Sequence, residues 1–320
     1  MPAAAVYSLL IKKENAHEDP IYCCVWTRIA NKEDPKKSQE YIVTGGLDNL
    51  VKVWSLENNR LELLHTLEGH CMAVVSIAVS PDGYTIASSS LDSTLIIWEL
   101  TTGIKVHEIE TANTNVWQVA FSPNGTQLVS GSHTGKLTVY GIVKNNVDCV
   151  LDTRGKFALC VAWSKNGQCI ASGAVDGAVH LFNVAQIKLV HTIEAHTEIV
   201  RSVDFSPNSH LLLTASNDGF VKIFDVASGN EVSKLSLKSW GLNARFSPDG
   251  TRLAAAAGDG AVVVALLHDT TLLKTFREHT DTVRAERSLL PRRYPAGGGG
   301  GRRRGRRGAA ARHDTAEDLP

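Results

Sequence analysis

An all-β ring of four-stranded blades is the fold this sequence predicts, and three observations predict it. The first is a unit written out most clearly from His196 to Val226, HTEIVRSVDFSPNSHLLLTASNDGFVKIFDV: three strand-like runs parted by turns at Ser206-Pro207-Asn208 and Asn217-Asp218-Gly219. The second is a period. A turn residue stands six positions before an aromatic at Asp48 and Trp54, Asp92 and Trp98, Asp176 and Phe182, and Asp218 and Phe224, while Thr134 and Tyr140 keep the aromatic without the acid. With Asp259, the turn positions step by 44, 42, 42, 42 and 41 residues, the spacing of a propeller blade. The third is an interval of 13 residues from the bulky residue closing a first strand to the turn position, kept in every repeat after the first, as from Phe205 to Asp218.

In chain order, Ala4 to Lys13 alternates like a lone strand. The first repeat stretches its interval to 22, Trp26 to Asp48, so nine extra residues within the polar run Asn31 to Glu40 read as a surface loop. Six repeats follow, and Leu272 to Val283, LLKTFREHTDTV, reads as the opening of a seventh, with His279 at the expected place. Residues 1–283 therefore read as the repeat body, a seven-unit ring whose last blade is incomplete. Residues 284–320, with poly-Gly and arginine clusters, carry no strand pattern and read as a disordered Arg/Gly-rich tail of alternative or out-of-frame origin.

The recurring polar residues point to architecture. His17, His70 and His196 each lie nine residues before a first strand ends; Thr44, Ser88, Ser130, Ser172 and Thr214 lie four before the turn position. An imidazole, a hydroxyl, a carboxylate and an indole at these spacings can meet within one blade, and buried polar groups persist only when mutually bonded. A hydrolase triad is one constellation, whereas this trio repeats around the ring, so the reading is not an enzyme. This pattern resembles the WD-repeat family, in which such a network braces each blade. The set is complete at His17, Thr44, Asp48 and Trp54 and at His70, Ser88, Asp92 and Trp98; His196, Thr214 and Asp218 form a third with Phe224. In the sixth repeat Ala255 and Ala265 replace hydroxyl and aromatic, so that blade is expected to be the least stable.

Composition narrows the class further. Six cysteines form no CxxC pair and no metal-ligand spacing, so neither metal nor cofactor is expected. No signal peptide or bilayer-length apolar run is evident. The net charge of zero hides a division, with ten arginines against four acids in residues 284–320 and 23 basic against 29 acidic residues in 1–283. The repeat body has no nucleic-acid footprint.

Within the WD-repeat family, several stretches are similar to the branch that serves as small WD-repeat subunits of superkiller complexes, also found in the animal polymerase-associated factor complex. Leu151-Asp152-Thr153-Arg154-Gly155-Lys156-Phe157, in place of the usual His-containing loop, is the most specific of them; Gly131 to Lys136, Leu47 to Trp54 and Ala87 to Asp92 agree. The resemblance implies a non-catalytic scaffold in cytoplasm and nucleus. Its implied partners are a helical-repeat subunit and an RNA helicase in messenger RNA decay, and polymerase-associated factor subunits in transcription elongation and histone modification. No small-molecule substrate or membrane is implied, and nucleic acid is contacted indirectly.

A partner would dock where first strands begin. The repeat register places Tyr22, Ser76, Trp117, Leu159, Arg201 and Leu242 there, with Leu91 and Asn217 beside the turns, and an exposed Trp or Tyr near an Arg has the composition of a binding hot spot. Two other classes have sequence signatures of their own. Substrate receptors of cullin-type ubiquitin ligases have Trp-Asp-x-Arg after a third strand, and the corresponding Trp54-Ser55-Leu56-Glu57 and Trp98-Glu99-Leu100-Thr101 lack the arginine. Direct RNA binding through the arginine tail would show a steep salt dependence.

Overall fold

The structure is a computed structural model that describes residues 11, 13–30, 38–111 and 115–277. These residues build six antiparallel sheets of four strands each, every sheet a simple meander. The first holds β1 (Ile21–Ile29), β2 (Gln39–Gly46), β3 (Val51–Glu57) and β4 (Arg60–Leu67); the second holds β5 (Val74–Val79), β6 (Thr85–Ser90), β7 (Thr94–Glu99) and β8 (Lys105–Glu110). The third comprises β9 (Val116–Phe121), β10 (Gln127–Ser132), β11 (Lys136–Gly141) and β12 (Asn146–Asp152), and the fourth β13 (Ala158–Trp163), β14 (Cys169–Ala174), β15 (Ala178–Asn183) and β16 (Lys188–Glu194). The fifth comprises β17 (Val200–Phe205), β18 (Leu211–Ser216), β19 (Phe220–Asp225) and β20 (Glu231–Ser236), and the sixth β21 (Gly241–Phe246), β22 (Arg252–Ala257), β23 (Val262–Leu266) and β24 (Leu272–Phe276).

One expectation needs correction here. Leu272–Phe276 does not open a seventh unit: as β24 it pairs with β23 and closes the sixth blade. A repeat counted from sequence begins wherever the ruler is laid, while a blade begins at its innermost strand, and the outermost strand of one blade lies directly before the next in sequence. The remainder of the expected seventh repeat, the tail, and all of the expected N-terminal strand except Ile11 and Lys13 lie outside the described residues.

The turns explain why the strands end where they do. In the Ser-x-Asn turns, Ser122, Ser164 and Ser206 donate to Asn124, Asn166 and Asn208 Oδ1 at 2.6–2.7 Å and accept from the amide five residues on at 2.8–3.0 Å. One hydroxyl thus ties both ends of the turn. The nine-residue insertion sits between β1 and β2, where Ile29 pairs with Gln39.

The core lies between blades. Phe205 of β17 packs on Ala171, Val179 and Leu181 of the fourth blade, and Trp163 of β13 on Val129, Leu137 and Val139 of the third. Blades approach closely enough that a methyl added at Gly173 would sit 2.5 Å from Val200 Cγ1. Innermost strands pack in succession, β1 on β5, β9, β13, β17 and β21.

Candidate partner-binding face

The polar sets tie the strands of a blade together. In the second blade His70 Nδ1 lies 3.2 Å from Asp92 Oδ2, His70 Nε2 lies 2.8 Å from Ser88 Oγ, and Trp98 Nε1 donates to the same Oγ at 2.8 Å. A carboxylate beside Nδ1 requires that nitrogen to carry the proton, so Nε2 accepts from the Ser88 hydroxyl, which in turn accepts from the indole. The chain of donors runs one way and every member is satisfied. His17, Thr44, Asp48 and Trp54 repeat it at 2.8–2.9 Å. His196 meets Asp218 at 2.8 Å and Thr214 at 2.7 Å, with Phe224 in place of the indole donor.

Burial sets the charge states. Desolvation holds His70 and His196 below the ordinary imidazole range, although Asp92 and Asp218 pull the other way. For Asp92 burial alone would raise the carboxyl, but the Thr94 hydroxyl, the Cys71 amide and His70 together hold it below the usual range. The hydroxyls are sealed: Ser88 and Thr214 are fully buried and bonded.

The fourth blade is built differently. Its Asp176 pairs with Lys156 at 2.8 Å on the surface, and Thr153 in the same loop lies within 2.6 Å of Gly135 O and of Lys156 O. His180 on β15 stands opposite Ser172 on β14, and both His180 Nδ1 and Ser172 Oγ are buried without a hydrogen-bond partner among the described residues.

The expected contact positions share a backbone feature. Tyr22, Trp117, Leu159, Arg201 and Leu242 are each the extra residue where the ladder between first and second strands shifts register, between Ile21 and Cys23, Val116 and Gln118, Ala158 and Cys160, Val200 and Ser202, and Gly241 and Asn243. Such a bulge re-aims the side chain it carries. In the second blade the bulge falls at Val75, between Val74 and Ser76 and four residues before Val79 as in the other blades, so Ser76 is misplaced by one residue. The residue before each turn acid reaches back to this strand entrance, as Leu91 N donates to Ala73 O at 3.1 Å and Asn217 N to Ile199 O at 3.0 Å.

Two of these positions differ from the exposed pair expected. Trp117 and Arg201 are 9% and 8% exposed, because Trp117 packs against Phe157 with ring centroids 5.7 Å apart and Arg201 Nε donates to Asn217 Oδ1 at 3.0 Å. Tyr22, Leu91, Asn217 and Leu242 are half-buried. The structure adds two residues that the repeat register did not single out: exposed His133, edge-on to Phe157 at 6.5 Å, and half-buried Phe157 itself. Arg154 and Lys156 are exposed on the same loop. Beneath this group the indole Nε1 of Trp117 has no acceptor among the described residues. The arrangement places a ring edge and the Arg154 cation at the surface above a buried donor, while Lys156 is held by Asp176.

Comparison with known proteins adds the following. A sequence profile described as "IFT122 first beta-propeller" matches residues 35–285, and one described as "WD domain, G-beta repeat" matches residues 8–55. The chain is 36% identical over 111 residues to "WD repeat-containing protein SL1-17" of Schistosoma mansoni, an alignment of 34% of this chain and 35% of that protein. It is 34% identical over 104 residues to "WD repeat-containing protein VIP3" of Arabidopsis thaliana, covering 32% and 30%. It is also 41% identical over 76 residues to "Small ribosomal subunit protein RACK1y" of Oryza sativa subsp. japonica, covering 24% and 22%. The chain spans about a third or less of the length of these curated relatives.

Proposed function

The chain belongs to the WD-repeat β-propeller family, a family of protein-interaction scaffolds, and from that premise we propose that it is the small scaffold subunit of a superkiller-type complex. In that role it holds a helical-repeat subunit, itself bound to an RNA helicase, during 3′ to 5′ messenger RNA decay in the cytoplasm. In the nucleus it accompanies polymerase-associated factor subunits during transcription elongation. The reading rests on the loop Leu151 to Phe157, by which the chain resembles that branch of the family, and on what the loop builds. The observation that carries it is the unspent indole N–H of Trp117 beneath Phe157. A buried donor without an acceptor costs roughly 1–3 kcal/mol, and a partner peptide that shifts the Phe157 ring and supplies a carbonyl recovers it on binding.

Replacing Trp117 by alanine would open a cavity under Phe157, so the conservative Trp117→Phe is the informative change: it keeps the ring and removes the donor. Together with Phe157→Ser, it is expected to weaken capture of the helical-repeat subunit at least tenfold in a pull-down titration, with unfolding midpoints within a few degrees of the parent. Capture at parental strength by both variants would remove this face from the assignment.

A further inference from the structure

Each blade ends in an outermost strand whose far edge is open to a further strand, and one of the six lacks the protection that the others carry. β4, β8, β16, β20 and β24 each hold a Lys or Arg, at Arg60, Lys105, Lys188, Lys234 and Lys274. A long cationic side chain on a strand edge discourages another strand from pairing there. β12 holds no Lys or Arg and carries Asp148 and Asp152 instead. All six strands have a bulge, at an aliphatic residue in the other five and at Asp148 in β12, so the bulge alone does not set β12 apart. Val147 and Val150 on β12 are 54% and 46% exposed, and Val143 in the turn before it is 84% exposed. Among the described residues the two carboxylates accept from neutral donors only, Asp148 from Gln127 Nε2 and Asn146 Nδ2 at 2.7 and 3.1 Å, and Asp152 from the Gly155 amide at 3.2 Å.

The backbone of this edge decides what it can take. Thr153 N donates to Gly135 O at 2.9 Å, and in an antiparallel ladder hydrogen-bonded pairs alternate with open ones. Leu151 with Leu137 and Cys149 with Val139 are therefore the bonded pairs, while Val150 and Asp152, opposite Thr138 and Lys136, turn their N–H and C=O to the outer side. Those four groups have no partner among the described residues. Val150 and Asp152 stand two residues apart, so their side chains share one face. The third blade lies between the second and the fourth, away from β1 and β24, where the described sheets end.

We propose that β12 accepts an extended segment of a partner protein as a fifth strand of the third blade, and that the segment presents a branched apolar and a basic side chain two residues apart on one face. The outward N–H and C=O of Val150 and Asp152 bind the segment's backbone, which gives affinity without regard to sequence. Specificity comes from the cross-strand pairs, the apolar side chain against Val150 and the basic one against Asp152, with Asp148 adding to the attraction. A second copy of this chain fits poorly. Antiparallel pairing of two such edges about Val150 sets Asp148 of each against Asp152 of the other, and like charges directly opposite one another destabilise a ladder.

The probe is the synthetic peptide Lys-Thr-Val-Thr-Lys-Thr-Val-Thr-Lys, added to the full chain. Expected are 1:1 binding by calorimetry and at least tenfold slower hydrogen exchange at the amides of Val150 and Asp152, read by nuclear magnetic resonance. The same peptide with glutamate in place of lysine should bind at least tenfold more weakly. So should the lysine peptide to Val150→Pro, which removes an outward N–H and no ladder bond. Should that variant lose its β circular dichroism, Val150→Lys takes its place, since it gives this edge the cation that the other five carry. No binding of the lysine peptide, equal binding of the two peptides, parental binding by the folded variant, or a dimer of the chain that the peptide leaves intact would each overturn the proposal. None of these changes touches Trp117 or Phe157, so the scaffold reading stands or falls separately.

Discussion

Ser88→Ala is expected to lower the free energy of unfolding by about 3 kcal/mol, read from urea denaturation. The hydroxyl is fully buried and serves two nitrogens, His70 Nε2 and Trp98 Nε1, each at 2.8 Å. Removing it strands both where water cannot replace it, and each loss costs roughly 1–3 kcal/mol. Trp98→Phe made in the Ser88→Ala chain should cost less than in the parent, because the donor it removes has already lost its acceptor. Additive losses would mean that the three side chains do not act as one unit.

The same sets give stability a pH dependence of fixed sign. His70, His180 and His196 are held below the ordinary value of 6.5 by burial, so the folded chain keeps them neutral where the unfolded chain takes up protons. Their contribution is complete above about pH 6.5 and is lost as pH falls through the lower folded values. Asp48, Asp92 and Asp176, held below 3.8, extend the loss at lower pH. The urea midpoint should therefore be lower at pH 5.5 than at pH 7.5.

At one repeat position two aromatic truncations should differ several-fold. Phe205→Ala empties a site that is 1% exposed between the fourth and fifth blades, a change that costs about 3–5 kcal/mol. Trp26→Ala removes a larger ring from the equivalent position on the first blade and should cost less than about 0.5 kcal/mol, since that ring meets solvent. Sequence position alone would assign the two the same loss. Denaturation midpoints of both variants decide it, and a Trp26→Ala loss as large as that of Phe205→Ala would mean that the first blade is covered in solution.

Much of the fold was legible because a repeat must solve the same burial problem every 41–44 residues. Buried His, Ser/Thr, Asp and Trp have to satisfy one another, so they recur at fixed offsets, and the offsets themselves pointed to His17 with Thr44 and His196 with Thr214. Blade boundaries were less legible, since nothing in Leu272 to Phe276 says which sheet it joins until the ladder with β23 is seen. The bulged positions were legible in place and not in exposure. Trp117 falls at a bulge that the 13-residue interval locates, but its cover by Phe157 depends on a loop from the next blade. His133 lay in the stretch Gly131 to Lys136 that carries the resemblance, but the repeat register gave it no contact role. The pairing of Asp176 with Lys156 could have been anticipated from the missing histidine of that repeat, which leaves the acid in need of another donor.

The scaffold assignment is tested most directly by mass spectrometry of proteins co-purified from native cells with the endogenous chain. The account expects the RNA helicase and the helical-repeat subunit of a superkiller-type complex among the captured proteins, with polymerase-associated factor subunits in the nuclear fraction. Recovery of the chain with none of these subunits in either fraction would contradict it.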